Sequence, residues 1–401
     1  MPPIAPSVDA GGVLKDKRFT RFTRIFTVLF SISLILGVVG AANSIFLPLL
    51  MKEEELSYGL IGVVGALTGL GGGLAQLLAG VVSDRGLNKR LLILSSTVFL
   101  SLAFLASYIA SGLPTYVLVS LSVGLSTPII VTMSLAIISE ATSSRAMGRV
   151  MGMYRISRSI GWTVGNLMFG VLADIYGSRT ILLYSFGFSL ATVLASFTVS
   201  NGGGFQRTVK RRGGASYELV LFLVSLGIMD MVASADNRFI PLLAVDKNLS
   251  KSAIGSITAL GSLVEIPFML LSGFLTDRFD DRIIMAIGAA GFALAYFRFT
   301  TAQVLTDFAV AQALRGMSFA LYFAASLALI GRLSRGSATV TGYYGFAQQV
   351  GVVVGPIVAG FIAGYMGLAE TFTMLSLFSL IGIIPLIPIR LKNMEKNEED
   401  L

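Results

Sequence analysis

The chain reads as an all-α polytopic membrane protein, with twelve transmembrane helices arranged as two six-helix bundles. Three observations predict this. Hydrophobic residues make up 54% and charged residues 13% of the 401 positions, roughly half the charged share of a soluble domain, and mean hydropathy is +0.81. The apolar residues gather into runs of about 20 or more, enough to cross a hydrocarbon core of about 30 Å. The string Gly80-Val81-Val82-Ser83-Asp84-Arg85 returns 193 residues later as Gly273-Phe274-Leu275-Thr276-Asp277-Arg278, so the bundle is duplicated. Backbone in hydrocarbon must satisfy its own hydrogen bonds, which selects helices. The alternating ten-residue strands of an outer-membrane barrel are absent from the sequence.

In chain order, residues 1–23 are polar and basic, without the apolar core and cleavage site of a signal peptide, and read as a cytoplasmic tail. Spans follow at 24–50, 58–82, 91–110, 114–138, 149–172 and 178–198. The first ends on Phe46-Leu47-Pro48-Leu49-Leu50, and the second closes on Gly80 and the Asp84-Arg85 pair. The fifth carries Gly161 and Gly165, four apart on one face, which permits close helix contact. Residues 199–216 are glycine-rich and basic and form a linker between two halves, 24–198 and 217–389. The second half has spans at 217–243, 251–275, 282–299, 303–330, 338–364 and 368–389, and residues 390–401 form a second tail. Phe239-Ile240-Pro241-Leu242-Leu243 matches the end of span one, and Ile254, Gly255, Leu263 and Leu270 match Ile61, Gly62, Leu70 and Leu77. Span eleven repeats span five at an offset of 190, through Tyr154/Tyr344, Gly161/Gly351, Gly165/Gly355, Gly170/Gly360 and Gly177/Gly367.

Charge orients the bundle. Of the 30 Lys and Arg, 21 fall on the side that holds both tails, five on the other side and four inside spans. Positive loops stay in the cytoplasm, which makes both termini cytoplasmic in a cell membrane. The net charge of +8 is then topology and contact with the lipid bilayer, and no basic face on a soluble fold argues for nucleic acid. Cysteine and histidine are both absent, so disulfides, thiolate chemistry and the commonest metal ligands are excluded, and a transported proton must ride on Asp or Glu. The run Gly69-Leu70-Gly71-Gly72-Gly73 lacks the Lys-Ser/Thr of a phosphate-binding loop and sits inside a span. No cofactor or metal is predicted.

Gly80 to Arg90 resembles the loop 2–3 signature of the major facilitator superfamily, Gly-x-x-x-Asp-Arg/Lys-x-Gly-Arg-Lys/Arg-Lys/Arg. Gly80, Asp84, Arg85, Lys89 and Arg90 match, and Gly86-Leu87-Asn88 departs. The second copy keeps Gly273, Asp277, Arg278 and Arg282. Gly161 to Gly170 resembles the family's antiporter signature with Asn166 in place of its Pro, and span eleven carries Gly351, Gly355 and Pro356. The resemblance covers about 24–390. It implies a secondary transporter working by alternating access, with small molecules and protons as partners. The glycine pattern and apolar content favour proton-coupled export of small organic or amphipathic compounds. Uptake of a small polar metabolite, a sugar or organic anion, is the alternative. A membrane enzyme is the rival of another class, and no His, Cys or nucleotide loop supports it.

Charge inside a span is expensive and marks candidate sites. Arg155, Arg158, Asp230, Asp236, Arg238, Glu265 and Arg315 qualify, with Asn43 and Gln348 as the repeat equivalents of Asp236 and Arg158. Arg158 and Glu265 each lie about 14 Å deep at 1.5 Å per residue, and the resemblance implies that spans five and eight pack together, so the two are expected to pair near midplane. That pair either breaks when Glu265 is protonated or substrate arrives, or stands as a static bridge. Asp230 is the rival proton carrier, and Arg155 and Arg158 are candidate anion contacts. Asp236 and Arg238, near the outer end of span seven, are expected to be solvated or paired. Arg315-Gly316 resembles the family's span-four Arg-x-x-x-Gly signature only loosely, and Val123 stands where that signature belongs. Asp84 and Asp277, ending their helices, are expected to latch the two halves together on the cytoplasmic side, holding an outward-facing state, by accepting from backbone N–H groups or pairing with Arg, the alternative being a mere topology anchor.

Overall fold

A computed structural model of the chain describes residues 17–84, 88–142, 147–199, 216–334 and 338–389. The two expected tails lie mostly outside these residues, as do nearly all of the linker and Arg85. Among the described residues there is no strand. The first span is compound: α1 (Lys17–Ala41), a five-residue π-turn (Ala42–Phe46) and α2 (Leu47–Glu53). Then come α3 (Tyr58–Asp84), α4 (Lys89–Ile109), α5 (Leu113–Ala141), α6 (Met147–Tyr176) and α7 (Thr180–Ser196). The second half holds α8 (Tyr217–Asp246), α9 (Lys251–Thr276), α10 (Asp281–Thr301), α11 (Leu305–Ser334), α12 (Ala338–Tyr365) and α13 (Leu368–Ile381). Among the described residues, ten helices are long and apolar enough to cross a membrane by length and composition. The other two are α6, which carries Arg149, Arg155, Arg158 and Asp174, and the 17-residue α7.

Local chemistry sets the helix ends. Ser216, Ser250 and Asn88 accept from the backbone N–H of Leu219, Ala253 and Leu91 and cap α8, α9 and α4. Gly177 and Gly367, equivalent in the repeat, both have positive φ, 85° and 108°, where a Cβ is strained. The hydroxyls of Thr180 and Thr371 bond back to their carbonyls at 2.7 and 2.8 Å. The π-turn has a local cause. Pro48 sits in the first turn of α2 and has no N–H to give to the turn before it. The ladder loosens there, and the Leu47 N–H reaches Ala42 O, one residue beyond the α spacing.

Each half packs around buried aromatic residues, Tyr116, Phe104 and Phe169 in the first and Tyr296, Phe292 and Phe372 in the second. Large apolar side chains such as Ile109, Leu194 and Leu270 point outward at 71%, 63% and 73% exposure, as expected where the surrounding solvent is lipid. Gly161 and Gly165 press α6 on α1: an added Cβ would sit 1.8 Å from Leu34 O and 2.8 Å from Val38 Cα. Gly351 and Gly355 press α12 on α8, 2.6 Å from Gly227 O and 2.0 Å from Met231 O. These four glycines therefore pack within the halves.

Two seams join the halves, α3 against α12 and α6 against α9. The glycines at these seams are others. A Cβ on Gly255 would lie 2.2 Å from Asn166 O, and one on Gly62 would lie 2.2 Å from Pro356 O. Gly170 and Gly360, the closing glycines of the two antiporter-like segments, face Gly255 and Gly62 across the seams. All four lie towards the end of the bundle remote from the chain termini, called here the far side. The tail side is the opposite end.

Candidate functional site

A cavity of about 610 Å³ lies between the halves, within the size range of small-molecule sites. Arg155, Arg158, Asp230, Glu265, Arg315 and Gln348 all line it. Its walls also include Trp162 from α6 and Phe319, Phe323 and Tyr344 from α11 and α12. Asn43, Asp236 and Arg238, the other sequence candidates, lie outside the lining, and Asn43 sits among α1, α3 and α5. The lining runs from Asn237 and Ser262 near mid-depth to Leu135, Leu327 and Tyr344, so the cavity extends towards the tail side.

On the far side the halves are tied together. The Asp174 carboxylate accepts from the first N–H groups of α9, Lys251 at 2.9 Å and Ser252 at 2.8 Å, where the helix dipole favours an anion. Lys251 Nζ pairs with Glu53 at 2.5 Å, and Tyr58 Oη donates to Asp246 at 3.3 Å.

The tail-side latch, expected to hold an outward-facing state, falls partly outside the described residues. Of its first copy, Arg85 lies outside the described residues, and α3 ends at Asp84 with Gly80 in its last turns, their side chains likewise outside description. Arg90, beside Lys89 at the start of α4, donates to Phe197 O at 2.7 Å within its own half. In the second copy Asp277 caps α9, a few residues after Gly273, and Arg278 stacks over Phe274 at 4.2 Å. Arg282 pairs with Asp280 and holds that carboxyl below the usual carboxylate range. Arg332 donates to Thr276 O at 2.7 Å and faces the buried Asp281 at 3.4 Å. Each of these contacts is internal to one half. Among the described residues, the polar contacts that tie the halves lie on the far side.

The expected Arg158–Glu265 pair is not formed: neither residue is in a salt bridge among the described residues. The charge acting on Glu265 is Arg315, and Arg158 has Tyr154 beside it. The reason is helix splay. Counting depth along each helix places the two residues at one level, but α6 and α9 touch at Gly170 and Gly255. Glu265 and Arg158 lie ten and twelve residues further towards the tail side, about 15–18 Å from that contact, with the cavity between them.

The most ordered charge cluster involves Asp236, which the sequence left as solvated or paired. It is fully buried. Arg315 grips it with two hydrogen bonds, Nε to Oδ2 at 2.7 Å and Nη2 to Oδ1 at 2.9 Å, the bidentate geometry that makes such pairs strong. Tyr296 Oη adds a bond at 2.6 Å, and Arg315 Nη2 also reaches Asn237 Oδ1 at 3.3 Å. Arg315 is thereby neutralised in the cavity wall. Asp230 is the opposite case. It is buried with Oδ2 unpartnered, and Gln348, Tyr322 and Tyr344 are its polar neighbours. Arg155 and Arg158 have no carboxylate partner among the described residues. The first half thus gives the cavity a basic wall and the second an acidic one.

Known proteins share this architecture. An MFS-type transporter of Methanocaldococcus jannaschii is 22% identical over 345 residues, covering 82% of this chain and 89% of the relative. A homolog of the multi-drug resistance efflux pump PmrA from Lactococcus lactis is 23% identical over 370 residues, 86% and 90% of the two chains. The crystal structure of the nucleoside transporter NupG superposes with a TM-score of 0.78 at 14% identity, over 92% of this chain and 100% of that one, a likeness of fold. The family model of the Major Facilitator Superfamily matches residues 28–214 and 221–400, and the chain belongs to that superfamily: it is a multi-pass membrane transporter for transmembrane transport.

Proposed function

We propose that the protein is a proton-coupled secondary transporter of the cell membrane that exports small organic or amphipathic compounds. The observation that carries this reading is the placement of Asp230 and Glu265, two carboxyls outside any salt bridge among the described residues, in one cavity with aromatic walls. A carboxyl in a poorly solvated cavity gains most from being neutral, so it takes up a proton when water is excluded and releases it when water or a competing group arrives. The distribution of basic loops supports cytoplasmic termini, and on that reading the tail-side cavity faces the cytoplasm, the loading position for export. The similarity to an efflux pump supports the same direction.

The test uses proteoliposomes with an imposed pH gradient and a panel of amphipathic compounds. Proton flux provoked by a compound, lost in Asp230→Asn or Glu265→Gln, is the expected result. Compound flux that ignores the gradient, or that both variants leave proton-coupled, sinks the proposal.

Arg155 and Arg158 favour a second reading, proton-coupled uptake of a small organic anion. Two accessible guanidinium groups one turn apart suit a carboxylate or phosphate. Accumulation of an organic anion with the protons, reduced by Arg158→Gln, selects this reading over export.

A further inference from the structure

Arg238 has no part in the cavity. It follows Asp236 by two residues in α8, is 5% exposed, and is in no ion pair among the described residues. A lone guanidinium buried in a spanning segment is costly unless acceptors surround it. Its acceptors all come from the opposite half. Nη1 donates to Asn43 O at 3.3 Å, and Nη2 donates to Gly65 O at 3.2 Å and to Thr68 Oγ1 at 3.0 Å.

The cradle is organised for this cation. Asn43 lies in the π-turn, where the widened ladder frees carbonyls for outside donors. Its side chain donates to Thr68 Oγ1 at 3.3 Å and accepts from Ser120 Oγ at 3.3 Å, fixing the turn to α3 and α5. Gly65 supplies the room: a Cβ there would lie 2.6 Å from Arg238 Cδ.

We propose that Arg238 is a buried inter-half latch, a positioning residue for the transport cycle that holds the far side closed and must leave the Asn43–Gly65–Thr68 cradle before the cavity can open there. Hydrogen bonds to neutral acceptors suit a latch that recycles. They hold while the seam is dry, and water replaces them when it opens, with no buried ion pair to separate. The latch also has a mechanical link to the cavity. Asp236 and Asn237 hold Arg315 at the cavity wall, and the same turn of α8 carries Arg238, so displacement of one displaces the other. The proposal rests on alternating access and holds for export and uptake alike.

The chain has no cysteine, so spin labels can be placed at Ser111→Cys and Thr301→Cys, exposed far-side positions in the two halves. Double electron–electron resonance then reads the far-side separation. Arg238→Met keeps the side-chain stem and removes the donors. Gly65→Ala leaves the arginine intact and crowds it out of its cradle. Both are expected to raise the long-distance population about tenfold over the unsubstituted chain, while the protein stays monodisperse and folded. An unchanged distribution in folded Arg238→Met overturns the proposal. So does lengthening in Arg238→Met with none in Gly65→Ala, because lost packing alone would then account for it. Should Arg238→Met fail to fold, Gly65→Ala and Thr68→Val carry the same test on the intact arginine.

Discussion

Asp230 and Asp236 lie six residues apart on one helix and have opposite fates. Asp236 is ion-paired and fully hydrogen-bonded, so removing its charge strands Arg315 in a buried site. Asp236→Asn is expected to cost about 3–5 kcal/mol, the penalty of a buried pair broken on one side, read as a large drop in the thermal midpoint in detergent. Asp236→Leu combined with Arg315→Met should recover most of that loss, since a buried pair replaced by apolar groups is often neutral. Asp230 has a bare carboxylate oxygen and no ion-pair partner among the described residues, so Asp230→Asn removes a group that burial disfavours. Its thermal midpoint is expected to hold or rise while proton-coupled transport falls. Stability and transport therefore separate within two turns of α8: a fall in stability for Asp230→Asn equal to that of Asp236→Asn would contradict the assignment.

Helix identities were legible because apolar runs of about 20 residues survive any packing arrangement, and the observed ends differ from expectation by a few residues at most positions. The repeat was legible through residues with backbone jobs, such as Gly177 and Gly367 with their positive φ. The π-turn was not, because it depends on how Pro48 loosens one ladder rather than on hydropathy. Five of the seven charges placed inside spans line the cavity, with Gln348 beside them, since charge in a span is costly enough to mark itself, whereas Asp236 and Arg238 are buried outside its lining. Pairing was not legible: Asp236 meets Arg315, 79 residues away, and depth counting alone cannot show that α6 and α9 diverge. The glycines illustrate the same limit and yield a prediction. Gly161 and Gly255 both meet a carbonyl oxygen within 2.2 Å of an added Cβ, but one packs inside a half and the other across the seam. Gly161→Val should lower expression and thermal stability by forcing α1 off α6, about 1–3 kcal/mol for such overpacking. Gly255→Val should leave the halves folded and prop the far side open, read as loss of transport with a longer Ser111–Thr301 spin-label distance.

The two halves meet at seams whose far-side ends carry the ties and whose tail-side ends flank the cavity, the arrangement expected of two bodies that rock about the seams. Rigid rocking needs each half to be internally locked, and the buried cores and within-half glycine contacts provide that. It also needs cross-half ties that can be released, and among the described residues these are polar: Asp174 on the start of α9, Lys251 with Glu53, Tyr58 with Asp246, and Arg238 in its cradle. A thiol placed in the cavity reads which side is open. Ser159→Cys, on the α6 wall, should react with a membrane-impermeant maleimide applied from the tail side and resist the same reagent from the far side. If basic loops set the topology, tail-side access means reaction in inside-out vesicles and protection in intact cells. Weakening the exposed ties by Asp174→Asn with Lys251→Gln should shift labelling towards the far side, by a modest factor, because exposed ion pairs contribute only about 0–1 kcal/mol each and the buried Arg238 contacts remain. Equal labelling from both faces of the unsubstituted background would mean that the far side is not closed at rest, which would contradict this arrangement.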